Sequence, residues 1–218
     1  MANARRALSV LVLAVVAVAC NSTAESVGSA VPVGPVEPGI PHACLGLGEP
    51  DCRRALAAAT DLLPEAAPVV YVEVGPFGCR AGAGCEPSLA ARPEGRVLFE
   101  LAGADPIEIV VRAAADGSIG VEQGEAFMIL LEPSSVARGI GGPVPFSLGH
   151  CGIWSGIDLD GSWWDPVGFV NFDHGDAINA ADGTFVATDA QHATFTSGGG
   201  LVVSLARRSG PKHLPFCD

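Results

Sequence analysis

Basic side chains are scarce in this chain. Its 218 residues hold twelve Lys and Arg against twenty-four Asp and Glu, and Lys212 is the only lysine. A formal charge of −12 leaves no basic face to displace counterions from phosphate, which excludes nucleic acid as a partner. Adsorption to an anionic lipid surface is disfavoured for the same reason. Recognisable catalytic signatures are missing as well. There is no G-x-S-x-G, H-E-x-x-H, C-x-x-C, phosphate-binding loop or dinucleotide fingerprint, so nothing in the motifs argues for an enzyme. Tyrosine occurs once and methionine twice.

Apolar residues make up 49% of the chain, enough for a packed core, and 28 Gly with 17 Pro point to many turns and short elements. The longest apolar run comes early. Arg5 and Arg6 precede residues 7–19, which include Leu8, Val10, Leu11, Leu13 and Val16. That run falls short of the roughly 20 residues of a membrane-spanning helix and suits the core of a signal peptide. Small residues follow and then Cys20.

Ala17-Val18-Ala19-Cys20 resembles the lipobox of bacterial lipoproteins. The resemblance covers only this segment. It implies that Cys20 receives a diacylglyceryl thioether carrying acyl chains such as palmitate, and becomes the mature N-terminus. Ala17-Val18-Ala19 also reads as an ordinary A-x-A cleavage site, so cleavage before Cys20 follows on both readings. The cysteine count favours lipidation: of seven, removing Cys20 leaves an even six, namely Cys44, Cys52, Cys79, Cys85, Cys151 and Cys217. Six allow fifteen pairings. Short loops close readily, which favours Cys44–Cys52 and Cys79–Cys85 and leaves Cys151–Cys217. Cleavage also removes two arginines and no acid, taking the formal charge from −12 to −14.

The organisation expected is a signal peptide over residues 1–19, a lipid-anchored flexible tether over 20–43, a helix with antiparallel strands over 44–132, and a β-rich aromatic subregion over 133–218. The last two are compatible with one domain. Pro32, Pro35, Pro38 and Pro41 favour extended, semi-rigid chain in the tether. Pro50 and Asp51 open a predicted helix over 50–63, with Cys52, Leu56, Ala59 and Leu63 on its core face and Pro64 as its stop. Period-two alternation predicts strands over 69–74, 96–101 and 107–112. Asp116-Gly117 is a hairpin turn leading to Ile119 and Val121. Residues 126–131 are continuously apolar and read as a strand buried on both faces. Short strands are expected near 146–148, 167–172, 184–188, 193–196 and 201–205. The fold class is α+β, mostly antiparallel β with one N-terminal helix, stapled by disulfides.

Residues 150–176 hold the densest chemistry. Trp154, Trp163 and Trp164 are candidates for a ligand groove, since exposed aromatics mark binding surfaces. His150, Asp158, Asp160, Asp173, His174 and Asp176 offer the oxygen and nitrogen donors that Ca²⁺ or Zn²⁺ would take. Asp and Gly are also ordinary turn residues, and Asp158-Leu159-Asp160-Gly161 lacks the later ligands of a calcium loop. His150 beside Cys151 suggests a thiol nucleophile, but disulfide formation is the commoner fate in an oxidising compartment.

The expectation that emerges is an exported cell-envelope lipoprotein, anchored through Cys20 on the extracytoplasmic side. Its mature domain is a non-enzymatic module for a small ligand or an envelope protein. No cofactor is expected. The alternative is a metal-dependent, hydrolase-like enzyme built on residues 150–176.

Overall fold

The computed structural model describes residues 39–77, 86–208 and 210–215. The expectations for Cys20, the signal peptide, the tether up to residue 38 and the Cys79–Cys85 pair therefore lie outside the described residues, as does Cys217.

The fold is α+β and mostly β, built around one large mixed sheet. Its order is β5-β4-β3-β2-β1-β9-β12-β11-β10-β7, with β8 attached to β9. The first half comprises β1 (His42–Leu45), α1 (Glu49–Thr60), β2 (Val69–Val74), β3 (Glu94–Leu101), β4 (Ala104–Ala113) and β5 (Ile119–Gln123). The second half comprises β7 (Val144–Leu148), β8 (Ile157–Leu159), β9 (Ser162–Val170), α2 (Gly175–Ile178), β10 (Ala181–Ala187), β11 (His192–Ser197) and β12 (Val202–Arg208). A separate two-stranded ribbon pairs β6 (Met128–Leu131) with β13 (Lys212–Pro215).

The sheet is antiparallel except at its centre. Strand β1 runs parallel to both β2 and β9. Parallel neighbours need a crossover rather than a hairpin, and α1 supplies the one from β1 to β2. The residues expected to end a tether thus begin the central strand: His42 and Ala43 belong to β1, which joins the two halves into one sheet. Four residues with one polar member carry too little period-two signal to be read as a strand.

Alternation on β1 divides the interior in two. Ala43 and Leu45 enter one core with Ile153, Trp164, Phe185, Phe195 and Leu205. Cys44 enters the other with Cys52, Leu56, Val72, Val97 and Phe99. Helix α1 covers this second core with Cys52, Ala55, Leu56 and Ala59, the i, i+3, i+4, i+7 stripe of an amphipathic helix. Pro50 sits in its first turn with Glu49 and Asp51. The helix ends at Thr60, ahead of Pro64, so Leu63 packs against the core from the following turn instead of from the helix. The Cys44–Cys52 disulfide, with Cα atoms 5.8 Å apart, ties the start of α1 to β1.

Strand β6 departs from expectation. Continuous apolar sequence suggests burial on both faces, yet Ile129, Leu130 and Leu131 are exposed. The strand pairs only with β13 among the described residues, so no second layer covers its outer side. Among those residues no helix is long and apolar enough to cross a membrane.

Candidate functional site

The ionisable residues of 150–176 are not brought together. Asp158 accepts from the backbone N–H and hydroxyl groups of Ser134 and Ser135. Burial raises its pKa, but these hydrogen bonds outweigh burial and hold it below the usual carboxylate value. Asp160 accepts from the N–H groups of Arg138 and Gly139 at 2.6 and 2.7 Å and pairs with Arg207. Asp173 pairs with Arg92. His174 caps α2, its Nδ1 accepting from the Asp176 N–H, while Asp176 accepts from Ser197 and Gly199. His150 is exposed, with Nε2 3.7 Å from Cys151 Sγ. Cys151 is disulfide-bonded, so it offers no thiolate for nucleophilic catalysis. Each acid closes a different turn or pair.

Among the described residues, one trio of ligand-type side chains lies within 4.8 Å, formed by His42, Cys44 and Glu49. The Cys44 sulfur is committed to its disulfide, which leaves two donors, fewer than a closed metal site requires.

The tryptophans are built into the structure. Trp164 is 1% exposed and Trp163 7% exposed, because they lie on β9 between neighbouring strands. Their indole N–H groups donate to the Leu159 and Leu131 carbonyls, both at 3.1 Å. Trp154 is half-buried, edge-on to Phe172, with the Arg96 guanidinium 4.8 Å above its ring. Its N–H donates to Glu73 Oε1 at 2.5 Å. None of the three lines the cleft where buried charges gather.

That cleft, of about 590 Å³, lies elsewhere. Its walls are apolar and include Pro41, Val70, Leu101, Leu130 and Pro211. Its polar lining includes Tyr71 from β2, Glu100 from β3, Asp165 from β9, Arg208 from β12 and His213 from β13. The Arg208 guanidinium bridges two buried acids: Nε donates to Asp165 Oδ2 at 2.5 Å and Nη1 lies 2.9 Å from Glu100 Oε2. His213 Nδ1 lies 3.1 Å from the same Glu100 oxygen. Lys212 Nζ donates to Asp165 Oδ1 at 2.6 Å. The Tyr71 hydroxyl donates to the Pro166 carbonyl at 2.8 Å, and Arg208 stacks 5.0 Å from the Tyr71 ring.

Burial sets the protonation of this cluster. Glu73, on β2 two residues from Tyr71, is pushed up to about 7 by desolvation, against the opposing pull of Lys212, the Trp154 hydrogen bond and Arg96. Burial raises Asp165 too, but the charges of Lys212 and Arg208 outweigh it and hold that carboxyl below its ordinary value. The Tyr71 phenol is raised by burial and then by the charge of Asp165. Arg208 Nη2 is shielded from solvent and has no hydrogen-bond partner among the described residues. An unpaired buried donor of a charged group is costly, and perturbed ionisable groups beside a cleft mark a functional site.

None of these residues stands out as a site candidate in the sequence, although Asp165 lies within residues 150–176. Glu73 is the one charged residue of β2 and Glu100 follows the apolar Val97-Leu98-Phe99 run of β3, and alternation alone does not reveal that both faces of these stretches are covered. The lone lysine was the one available signal. Compared with known protein families, curated proteins and solved structures, the chain matches none. The site is therefore read from its own chemistry.

Proposed function

We propose that this protein is an exported, lipid-anchored binding module that takes a small ligand in the cleft between the β6–β13 ribbon and the main sheet. The anchor follows from the lipobox-like Ala17-Val18-Ala19-Cys20. The cleft carries the reading. Its size and its pairing of apolar walls with a few fixed charges are those of small-molecule sites. The ligand that suits it has an apolar body for Val70, Leu101 and Leu130, and a polar head for Arg208, Glu100 and His213. An oxygen acceptor on that head would satisfy Arg208 Nη2. The tether would hold the domain clear of the bilayer, free to meet its ligand.

Two measurements test this. Native mass spectrometry of the mature protein from its own envelope should show a bound small molecule, which Ala206→Trp, filling the cleft from β12, should release. A bare spectrum, together with no melting shift across a panel of amino acids, sugars and organic acids, overturns the ligand reading. A ligand present at a hundred times its dissociation constant would stabilise the fold by about 2.7 kcal/mol. For the anchor, the N-terminal peptide should carry a diacylglyceryl group on Cys20, and Cys20→Ser should release the protein into the medium. An unmodified Met1 terminus overturns export.

A further inference from the structure

Lys212 is the one lysine among twelve Lys and Arg residues. Every other ion pair to Asp or Glu described here uses arginine or histidine. Arginine is the better residue for a buried structural pair, because its charge is delocalised and its donors are fixed. Lysine differs in carrying a primary amine, which becomes a nucleophile once a proton is removed. Among the described residues the single lysine occupies the most enclosed ion pair: the Lys212 and Asp165 side chains are each 3% exposed, with Nζ 2.6 Å from Oδ1. The packing is made for the amine. A Cβ on Gly156 would stand 2.8 Å from Nζ and 3.4 Å from Asp165 Oδ1, so a side chain there would crowd the pair.

We propose that Lys212 and Asp165 become joined, once the chain has folded, by an amide bond between Nζ and Cγ, with Glu73 relaying the proton. The reaction balances without an oxidant or any other partner. The ion pair, an ammonium and a carboxylate, becomes one amide and one water. Glu73 passes a proton to a carboxyl oxygen of Asp165 and recovers one from the ammonium. The neutral amine attacks Cγ, the attacking nitrogen gives up one proton, the Cγ–O bond breaks, and the oxygen leaves as water with that proton and the one Glu73 delivered. Glu73 is buried on β2 opposite Ala43 of β1, which in turn lies opposite Gly168 of β9, so one small residue separates it from the strand that carries Asp165; burial also brings it close to half-protonated near neutrality. Arg208 Nε, on Asp165 Oδ2, faces the oxygen on which negative charge builds in the tetrahedral adduct. The reaction runs once per molecule, so a slow rate is sufficient. Its product fastens β13 to β9 across 47 residues of sequence. Strand β13 otherwise pairs, among the described residues, only with β6.

The test uses the full mature protein, reduced, alkylated and denatured, and reads its intact mass. The wild type should be lighter by one water than its composition requires. It should resist amine-reactive labelling at Lys212 and yield a branched peptide containing Asp165 and Lys212. Lys212→Arg keeps the positive charge but cannot form the amide and should show its full mass. Glu73→Gln should fold with an unchanged circular dichroism spectrum and also keep its full mass. A wild type of full mass with Lys212 readily labelled overturns the bond. Loss of water that persists in Lys212→Arg overturns its assignment to this pair, and persistence in Glu73→Gln overturns the role of Glu73.

Discussion

Two groups of acids in this protein invite comparison. Asp158, Asp160, Asp173 and Asp176 lie within nineteen residues of one another in sequence and are partly or fully exposed. Glu73, Glu100 and Asp165 are spread over more than ninety residues and are all nearly fully buried. The first group looks like a site in the sequence and is not one in space: each member satisfies local N–H or hydroxyl donors, or one arginine. The second group is scarcely visible in the sequence and converges beside the 590 Å³ cleft. Density of ionisable residues along a chain measures how many turns need closing. Convergence of buried ones, each with a charged or hydrogen-bonded partner, is costly to build and marks a place where the fold holds charge against water.

The comparison can be broken by mutation. In the Lys212→Arg background, where no amide can form, Asp165→Ala removes the carboxylate that faces both Arg208 and the cation at position 212. It should destabilise the protein by about 3–5 kcal/mol, the range for removing one partner of a buried ion pair. Chemical denaturation checks this, and a loss below about 1 kcal/mol would place the cluster among exposed pairs.

Glu73 sharpens the comparison through pH. Its pKa of about 7 stands above the ordinary 4.5, so between these values the folded chain holds a proton that the unfolded chain releases. The stability linked to this group is therefore complete below about pH 4.5, falls as pH rises towards 7, and is lost above it. The difference amounts to about 3 kcal/mol between the two limits. Glu73→Gln should flatten that decline. Denaturation curves at pH 5 and pH 8, wild type against variant, read it directly.

The smallest effect belongs to the exposed group. Asp158→Ala removes acceptors from the Ser134–Ser135 turn and should cost about 1 kcal/mol. Metal content of the purified protein, measured without chelator, should be the same for this variant and the wild type. A stoichiometric ion lost with Asp158 would restore residues 150–176 as a site.

Much of the fold was legible because its signals are local. Val70, Val72 and Val74, the Asp116-Gly117 turn, and the alternation through residues 96–101 and 107–112 each announce themselves within a few residues. Cys44 and Cys52 pair because the chain between them is short. Other features depend on what the rest of the chain covers. The apolar Ile129-Leu130-Leu131 stretch promised a buried strand and forms an exposed ribbon, since no second layer reaches its outer side. Trp163 and Trp164 promised a groove and instead sit in the interior of β9, where adjacent strands enclose them. His213 meets Glu100 113 residues away.

The sequence alone determined an acidic, disulfide-bonded, mainly β chain with one amphipathic helix, because charge, composition and periodicity act over neighbouring residues. Tertiary structure decided that β1 lies parallel between β2 and β9, and that Glu73, Glu100, Asp165, Arg208, Lys212 and His213 share one interior. The reason is physical. Which charges end up out of water depends on which strands become neighbours, and that choice is made by long-range packing between segments that carry no mark of each other.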